Sequence, residues 1–585
     1  MDRTRPDNAL RARPLDPALL LRYAELAHKT GNQDQLKTAL DAAHDILDRA
    51  SPWELARLAN VAERGDDSEL EAAALTAIAA RDCLLPSLAL HLVRKAHTIG
   101  QHTLAQALIE ALEPRVTESR RREFRAEALL LIEGPIAALA FLRRTGNGPR
   151  HVGEATLLST VLAAAGRTHL ARRYLRRCIR HWPDNAQLLG LYIRSCLLSG
   201  VPEKGFAWLD AMEKSGTTMA LDSLRLNLLI ESGEQAAALE LAERSEASGT
   251  PLIQDMQKLQ ILLALGHLEA AEAIAAGAAR HDWRGGKATA HFSISSNGAK
   301  LNELRLYRVA RQQGESRKSL VQRFFYPAQQ VIESWLASGD RADKVAPHDS
   351  GESPIPRRIL QYWDKPVVPV EIAAVMESWS AAEGFEYVRL DRAGAITFLQ
   401  EHFGPDHVRA FRLAKHAAEE CDFLRLCWLL IHGGTYADAD DLLTGDLGNL
   451  LPPGKGMVLY REPHGALQNN FFSTRPGHRL LDFAVEDACL ALLRGDNDWT
   501  WSKTGPGLIT RAAAHFILEQ GEEAARRDLL VLPRHVMCAE VHPHMAIPYK
   551  KTPAHWMASS KQATGPVLQA LNDAVNASQK KPAAA

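Results

Sequence analysis

The sequence lacks features that would mark several common classes of protein. Its seven cysteines are scattered, with no Cys-x-x-Cys pair and no regular spacing, so we expect buried thiols in a reducing compartment. No run of about 18 uninterrupted apolar residues occurs, and the first residues lack the apolar core of a signal peptide. We therefore expect no transmembrane segment and a location in the cytoplasm, either free or peripheral at the inner membrane.

An excess of charge of one sign is also lacking. The 69 Lys and Arg residues balance 70 Asp and Glu residues, and the net charge of −1 provides no overall field to attract nucleic acid. Hydrophobic residues make up 46% of the chain and charged residues 24%, as in globular proteins. At 585 residues the chain exceeds the roughly 250 to 300 residues at which single cores stop growing, so several domains are predicted.

Glycine recurs with a regular period through the first half of the chain. The successive spacings are 34, 35, 34, 32, 34, 33 and 33 residues, for Gly31, Gly65, Gly100, Gly134, Gly166, Gly200, Gly233 and Gly266. These glycines separate apolar helical stretches, and glycine accepts the positive φ at which one helix ends and the chain turns. A period of about 34 residues is that of tetratricopeptide repeats. The spacing predicts a tetratricopeptide-like helical repeat array over residues 16–285.

Small residues support close packing within each repeat. They stand five positions after five of the glycines, as Ala105, Ala171, Gly205, Ala238 and Ala271. A small residue there lets the second helix lie close against the first. The first units are more degenerate, with Leu36 and Leu70 at this position. Such arrays bind a peptide, a partner protein or a glycan-bearing substrate on a concave surface, and the alternative is a spacer or dimerisation arm.

Three further segments flank the repeats and the second half of the chain. Residues 1–15 and the Ala- and Lys-rich residues 563–585 are predicted to be flexible ends. Residues 286–350 read as a helical connector of two or three helices, closed by a linker rich in Asp, Ser, Gly and Pro.

The second half has the sequence pattern of an α/β domain. Strand-like runs at residues 355–363 and 385–390 alternate with helical stretches, which predicts a mostly parallel sheet. Residues 416–441 read as an apolar helix, a turn at Gly433 and Gly434, and a strand tipped with aspartates. On a strand, Asp438 and Asp440 would face one side and Asp441 the other, so the first two would share one oxygen-loving cation.

Several motifs follow one another in the order of a known family. They are I-P-x-x-I-x-Q-x-W from Ile355 to Trp363, Ser378-Trp379, D-x-x-R at Asp422 and Arg425, G-G-x-Y-x-D-x-D from Gly433 to Asp440, Asn469-Asn470 and Thr504-Gly505-Pro506. In this combination the second half resembles glycosyltransferase family 32, which contains the DXD sugar-binding region and the initiating mannosyltransferases. The resemblance covers about residues 353–560. Leu360 stands where the family commonly has a histidine, and the family's C-terminal His-x-x-x-Ser-Trp pattern appears only in part, around His555.

The resemblance implies a GT-A, Rossmann-like domain, which we place at residues 351–562, and three sets of site residues. The donor sugar and nucleotide would be bound by Gln361, Trp363, Asp422, Arg425, Tyr436 and Asp438. A Mn²⁺ or Mg²⁺ ion would be held by Asp438, Asp440 and His555, with His542 and His544 as competitors of His555. The acceptor side would be shaped by Asn469, Asn470, Thr504, Gly505 and Pro506. Each set has a structural alternative, such as a helix ion pair, a core tryptophan or ordinary turn residues.

The sequence as a whole predicts an α-solenoid followed by an α/β glycosyltransferase domain. The implied reaction is metal-dependent transfer of a hexose from a UDP- or GDP-sugar to a glycan, as in polysaccharide biosynthesis, or to a protein, with retention inherited from the family. The ion neutralises the departing diphosphate. The repeats would bind the acceptor or a protein partner. The sequence identifies no separate nucleophile. It does not specify the donor, the acceptor, the linkage or the number of subunits. The alternative is a tetratricopeptide-type binding scaffold with an inactive transferase domain.

Overall fold

The structure, a computed structural model, describes most of the chain. The described residues are 16–30, 32–65, 67–80, 86–98, 101–145, 151–216, 220–278, 296–338, 355–496 and 499–551. Both predicted flexible ends, the linker after residue 338, Gly31, Gly100 and His555 lie outside these ranges, so what the sequence predicts for them stays a prediction.

Helices dominate the described structure. The helices before residue 280 are α1 (Pro17–Thr30), α2 (Gln33–Ala43), α3 (Pro52–Arg64), α4 (Ser68–Ala79), α5 (Pro86–Thr98), α6 (His102–Leu112), α7 (Glu118–Ile132), α8 (Pro135–Thr145), α9 (Val152–Ala164), α10 (Thr168–His181), α11 (Ala186–Leu198), α12 (Pro202–Lys214), α13 (Asp222–Glu231), α14 (Gln235–Ala247), α15 (Asp255–Leu265) and α16 (Leu268–Ala278). Later in the chain come α17 (Ser296–Gln312), α18 (Arg317–Arg323), α19 (Phe325–Ala337), α20 (Val370–Ser380), α21 (Arg392–His402), α22 (Pro405–Leu413), α23 (Ala417–His432), α24 (Arg479–Arg494), α25 (Thr500–Lys503), α26 (Pro506–Gln520), α27 (Glu522–Asp528) and α28 (Arg534–Glu540). Short 3₁₀ turns occupy His44–Ile46, Glu113–Arg115, Leu447–Leu450 and Pro548–Lys551. Within the described ranges, no helix is both long and apolar enough to cross a bilayer.

The periodic glycines lie at the helix-to-helix turns. Positive φ values between 72° and 93° occur at Gly134, Gly166, Gly200, Gly233 and Gly266. Each follows the last residue of a helix by one or two positions, and a second helix begins within two residues. Gly65 differs, because it ends α3 with a helical φ of −86°. The small residues that follow are buried, with Ala171, Ala238 and Ala271 fully covered. The hairpins are as predicted, while their identity as tetratricopeptide repeats stays a prediction.

The chain forms two compact units. One comprises residues 1–161, 278–289 and 546–559, and the other comprises residues 162–277, 290–545 and 560–585. The first unit has its own apolar core, to which α1 to α7 contribute. The boundary at residue 161 falls inside the array that the sequence presents as one domain.

The second unit contains a mixed six-stranded sheet. The strands are β1 (Arg358–Tyr362), β2 (Glu386–Leu390), β3 (Gly434–Ala437), β4 (Leu442–Leu443), β5 (Met457–Arg461), β6 (Phe471–Thr474), β7 (Leu529–Pro533) and β8 (Val541–His542). The main sheet has the order β2-β1-β3-β6-β5-β7, and β4 pairs with β8 in a separate antiparallel ribbon. Only β6 runs antiparallel to its neighbours in the main sheet. Both sequence-predicted strands are confirmed, but the sheet is mixed because β6 returns beside β3.

The predicted connector is part of the core of the second unit. Its described residues form α17, α18 and α19. The apolar face of α19 places Val331, Ile332 and Trp335 in one cluster with residues of α23 and α26. The indole Nε1 of Trp335 donates to the backbone oxygen of Glu522 at 3.2 Å. The described helices of this segment are therefore packed against the second unit.

Candidate functional site

The aspartates after β3 lie on a tight turn. The strand ends at Ala437, and the backbone nitrogen of Asp441 donates to the oxygen of Asp438 at 3.0 Å. The backbone nitrogen of Met545 donates to the oxygen of Asp440 at 2.8 Å and so fixes the turn from outside. We call Asp438–Asp441 the acidic turn. The expectation that these residues alternate along a strand is wrong, because β3 ends at Ala437, before the first of these aspartates.

Two glycines set where β3 begins. Gly433 ends α23 with φ 63°, and Gly434 opens β3 with φ 103°. A Cβ on Gly434 would lie 2.5 Å from the backbone oxygen of Arg358 in β1. A Cβ on Gly433 would lie 2.7 Å from the backbone nitrogen of Pro476. Because both the φ values and the space exclude a side chain, the G-G pair fixes the path from the helix to the acidic turn.

Arg425 is the central cation of the site. Its Nη2 lies 3.1 Å from Oδ1 of Asp422 and 3.1 Å from Oδ1 of Asp438. Its guanidinium carbon lies 4.1 Å from the ring centroid of Tyr436, and Nη1 donates to the backbone oxygen of Asn469. The arginine is 3% exposed. It therefore joins α23 to the acidic turn, and the i, i+3 ion pair that the sequence suggests is one half of a larger network.

Asp422 is held on both oxygens. Nδ2 of Asn469 donates to Oδ1 at 2.8 Å, and Oγ1 of Thr504 donates to Oδ2 at 2.9 Å. Burial raises the pKa of Asp422 to about 6, although Arg425 and the two hydrogen bonds oppose the rise. The predicted acceptor-side residues Asn469 and Thr504 thus have buried side chains that position a carboxylate.

Asp441 is fully buried and fixed from several directions. Nδ2 of Asn470 donates to Oδ2 at 2.7 Å, and the backbone nitrogen of His544 donates to Oδ1 at 2.8 Å. Nε1 of Trp379 donates to its backbone oxygen at 2.6 Å. Burial, with the negative charges of Asp440 and Asp438, raises the pKa of Asp441 well above its ordinary value.

A cation cluster is formed by Asp440, Asp441 and His544. Their carboxylate oxygens and imidazole nitrogen lie within 4.8 Å of one another. His544 adopts a left-handed φ of 54°, which non-glycine residues seldom do, and its backbone turns the chain past the acidic turn. Carboxylate oxygens and a neutral imidazole are ligands that Mn²⁺ accepts, and Mg²⁺ accepts the oxygens.

The charge around the cluster fits a divalent cation. Burial raises the pKa of Asp438, and Asp440 raises it further, while Arg425 lowers it. Asp422 and Asp438 contact the buried guanidinium of Arg425, and Asp441 lies 3.9 Å from the half-exposed imidazole of His544. Asp440 adds a further carboxylate beside Asp441. Concentrating negative charge in this way is costly unless a cation compensates it.

Of the remaining predicted residues, Gln361 and Tyr436 contact Asp438 directly. Nε2 of Gln361 donates to the backbone oxygen of Asp438 at 3.0 Å, and the hydroxyl of Tyr436 donates to its Oδ1 at 2.7 Å. Gly505 and Pro506 begin α26 directly after Thr504. Trp363 is half-buried after β1, and its backbone nitrogen donates to Leu390.

Sequence reasoning missed or ranked low three contributors. Strand alternation places Asp441 on the opposite face, and the family resemblance favours His555 over His544. The hydroxyl of Tyr460 donates to Oδ1 of Asn470 at 2.6 Å, a contact that no sequence motif indicates. The Asp-Asp pair and the His-Pro-His segment at residues 542–544 are the sequence signals that point to the first two.

Comparisons with known proteins place the same region among glycosyltransferases. Residues 369–456 match the family described as glycosyltransferase sugar-binding region containing DXD motif. An uncharacterised glycosyltransferase of Acanthamoeba polyphaga mimivirus is 28% identical over 167 residues, which are 28% of this chain and 66% of that protein. The match therefore spans slightly less than two thirds of that relative. Together they support a DXD-type glycosyltransferase region in the second unit.

Two solved structures show weaker likenesses. The PaToxG glycosyltransferase is 17% identical, with 40% of this chain and 95% of that chain covered and a TM-score of 0.26. Naa15/Naa10 bound to HypK-THB is 10% identical, with 58% of this chain and 60% of that chain covered and a TM-score of 0.22. Scores this low do not establish a shared fold.

Proposed function

We propose that this chain is a metal-dependent glycosyltransferase of the family 32 type, which moves a hexose from a UDP- or GDP-sugar to a glycan or protein acceptor. The observation that carries the proposal is the acidic turn, where Asp440, Asp441 and His544 converge beside the Arg425 network. The match of residues 369–456 to DXD sugar-binding regions supports it.

The cation cluster is the proposed binding site for Mn²⁺ or Mg²⁺. Such an ion supplies positive charge to the departing diphosphate without a proton transfer. Relative to the sequence prediction, Asp441 and His544 join Asp440 as proposed ligands, and Asp438 faces Arg425 and Tyr436. Asp441 is positioned by Asn470 and by the backbone of His544, so little reorganisation of its carboxylate is needed on binding.

Asp438 and Asp422 are the proposed acceptors of hydrogen bonds from donor-sugar or ribose hydroxyls. The side chain of Asp438 is 26% exposed and that of Asp422 is 9% exposed, so Asp438 is the more accessible. Arg425 contacts both and is therefore a positioning residue that keeps the two carboxylates ionised and aligned. Retention of configuration is part of the proposal by resemblance.

The helical array is proposed to bring the acceptor or a protein partner to this site. Within the second unit, Gly200 at the turn after α11 lies against the backbone of His535 in α28, and Gln235 in α14 donates to the backbone oxygen of Pro463 at 2.9 Å. Nη1 of Arg534 in α28 also forms an ion pair with Oε2 of Glu231 in α13 at 2.9 Å. An acceptor held by these hairpins would therefore have a fixed direction relative to the acidic turn.

The test is Mn²⁺-dependent release of nucleotide from a panel of UDP- and GDP-sugars by the purified full chain. We expect one selective donor, and we expect Asp440→Asn to reduce its hydrolysis at least about 100-fold because a cluster ligand is lost. Asp446→Asn is the matched control, since Asp446 is an exposed acid that accepts from Gly448 at the next turn. A panel with no hydrolysed donor, or equal activity in Asp440→Asn, would reject the proposal.

A further inference from the structure

A polar cavity lies within the second unit, between α15 of the helical array and the loop after β5. Its volume is about 210 Å³. Its walls come from α15, from α17, from the start of α19 and from the loop after β5. The polar side chains that line it are Gln260, Asn297, Lys300, Glu303 and His464. Aromatic rings, among them Phe325, form the rest of the wall.

Lys300 brings a positive charge to this cavity. Its Nζ lies 4.7 Å from the ring centroid of Trp501 and 5.9 Å from that of Phe325. Within the described ranges, no carboxylate forms an ion pair with it. Glu303 lines the same cavity, but its Oε1 accepts from the backbone nitrogen of Phe325 at 2.6 Å. Burial lowers the pKa of Lys300, and Glu303 opposes that shift.

His464 faces the same space with an unused nitrogen. Its Nδ1 is buried and has no hydrogen-bond partner among the described residues. Burial, together with the positive charges of Lys300 and Arg534, lowers the pKa of His464 to about 4. The imidazole is therefore neutral at neutral pH, and one of its nitrogens carries a proton that can be donated.

The loop that carries His464 is fixed from separate parts of the chain. Gln329 in α19 donates to the backbone oxygen of His464 at 3.2 Å. Gln235 in α14 donates to the backbone oxygen of the preceding Pro463, and a Cβ on Gly465 would lie 2.1 Å from Nε2 of Gln329. The cavity is thus formed by packed elements, and its shape does not depend on an exposed loop.

A half-buried ammonium and a buried imidazole nitrogen that have no carboxylate partner among the described residues are costly to maintain. Buried polar groups normally find hydrogen bonds, and a desolvated cation normally finds a carboxylate. Here two donors face one cavity beside aromatic rings, and the nearest lining acid, Glu303, is engaged by the backbone. An anionic group in the cavity would satisfy both donors at once.

We propose that this cavity binds the carboxylate or phosphate group of a small ligand, with Lys300 as its counter-ion, His464 as a hydrogen-bond donor and the ring of Phe325 against its apolar part. This site is separate from the acidic turn, which is negative and suits a cation. The proposal concerns binding alone and holds whether or not the chain transfers a sugar.

The test titrates the full chain with inorganic phosphate and, separately, with acetate, in EDTA and at constant ionic strength, by calorimetry and thermal unfolding. We expect at least one anion to bind and to raise the Tm, and the preferred anion identifies the group. Lys300→Met should weaken binding at least about 10-fold. Lys318→Met is the matched control, because Lys318 is an exposed lysine paired with Glu519 at 2.7 Å.

A second readout separates a binding role from a structural one. Without anion, Lys300→Met should unfold at a higher temperature than the wild type, because a desolvated charge is removed. His464→Asn should also weaken binding, which keeps the test valid if Lys300→Met does not fold. Wild-type protein that binds neither anion, or binding that is equal in wild type, Lys300→Met and His464→Asn, would overturn the proposal.

Discussion

Nδ2 of Asn470 donates to Oδ2 of Asp441 at 2.7 Å, and both side chains are buried. The backbone oxygen of the same asparagine accepts from the nitrogen of Asp438 at 2.8 Å, and its Oδ1 accepts from the hydroxyl of Tyr460. One residue on the loop between β5 and β6 therefore fixes both ends of the acidic turn. Loss of its amide would remove a hydrogen bond from Oδ2 of Asp441 and one from the hydroxyl of Tyr460.

Asn470→Ala is expected to destabilise the second unit by about 2 to 4 kcal/mol, because Oδ2 of the buried Asp441 and the buried hydroxyl of Tyr460 each lose a hydrogen bond. Urea unfolding measures the change. The control is Asn449→Ala, which removes an exposed amide that donates to Glu540 at 3.0 Å. If the two variants lose equal stability, the amide of Asn470 does not have the role described.

Arg425→Met is expected to cost on the order of 3 to 5 kcal/mol of stability, because Asp422 and Asp438 would keep buried negative charge without their shared cation. Adding Asp422→Asn to Arg425→Met should recover part of that loss, since one of the two orphaned charges is removed. Chemical denaturation of the two single variants and the double variant measures the coupling between the residues. Strictly additive losses would contradict a shared ion-pair network.

Gly200→Ala tests the contact between the turn after α11 and α28. A Cβ there would lie 2.9 Å from the backbone oxygen of His535, at φ 75°. Gly216 has nearly the same φ, 71°, and its Cβ would meet nothing within 4 Å among the described residues. Both alanine variants therefore carry the same backbone strain, and the difference between them reports the contact alone.

We expect Gly200→Ala to be less stable than Gly216→Ala by roughly 1 to 3 kcal/mol, as for overpacked sites. Thermal and urea unfolding measure the difference. Because α28 leads through β8 to His544, Mn²⁺ binding should also weaken in Gly200→Ala and stay unchanged in Gly216→Ala. Equal behaviour of the pair would show that the hairpin does not support the site.

His464 gives a pH dependence of stability. Its folded pKa of about 4 lies below the unfolded value of about 6.5, so the unfolded chain binds more protons between those pH values. The stability it contributes is present above about pH 6.5 and is lost as the pH falls towards 4. Lys300 and Arg534 oppose its protonation, and the nearby Glu303 is engaged by the backbone of Phe325.

Between pH 7 and pH 5 the wild type should therefore lose up to about 2 kcal/mol more stability than His464→Gln. Denaturant unfolding of both proteins at the two pH values tests this difference. Parallel losses in the two proteins would show that His464 is not buried beside positive charge.

Local sequence patterns predict the elements that carry the site. The helix α23, the glycines Gly433 and Gly434, and the strand β3 follow from apolar periodicity and from the φ that glycine alone adopts readily. The turn glycines of the helical array follow from the same rule. These features depend on residues within a few positions of each other, and the sequence displays such neighbours directly.

Contacts between distant segments are not predictable in this way. The acidic turn is completed by Met545 and His544, about a hundred residues after Asp440 and Asp441, and no local pattern indicates which histidine returns there. The packing of α19 is not predictable either. Its amphipathic sequence indicates an apolar face, but it does not indicate that α26 covers that face. The alternation that places Asp441 opposite Asp440 fails for the same reason, because β3 ends at Ala437 and His544 returns beside both aspartates.

The most direct measurement is Mn²⁺ binding to the full chain with UDP or GDP present, followed by the electron paramagnetic resonance signal of free Mn²⁺. The account predicts one Mn²⁺ per chain, with affinity reduced at least about 10-fold in Asp440→Asn and in His544→Gln and unchanged in Asp446→Asn. Free Mn²⁺ equal to that in buffer with nucleotide alone, or equal binding by wild type and Asp440→Asn, would contradict a cation site at the acidic turn.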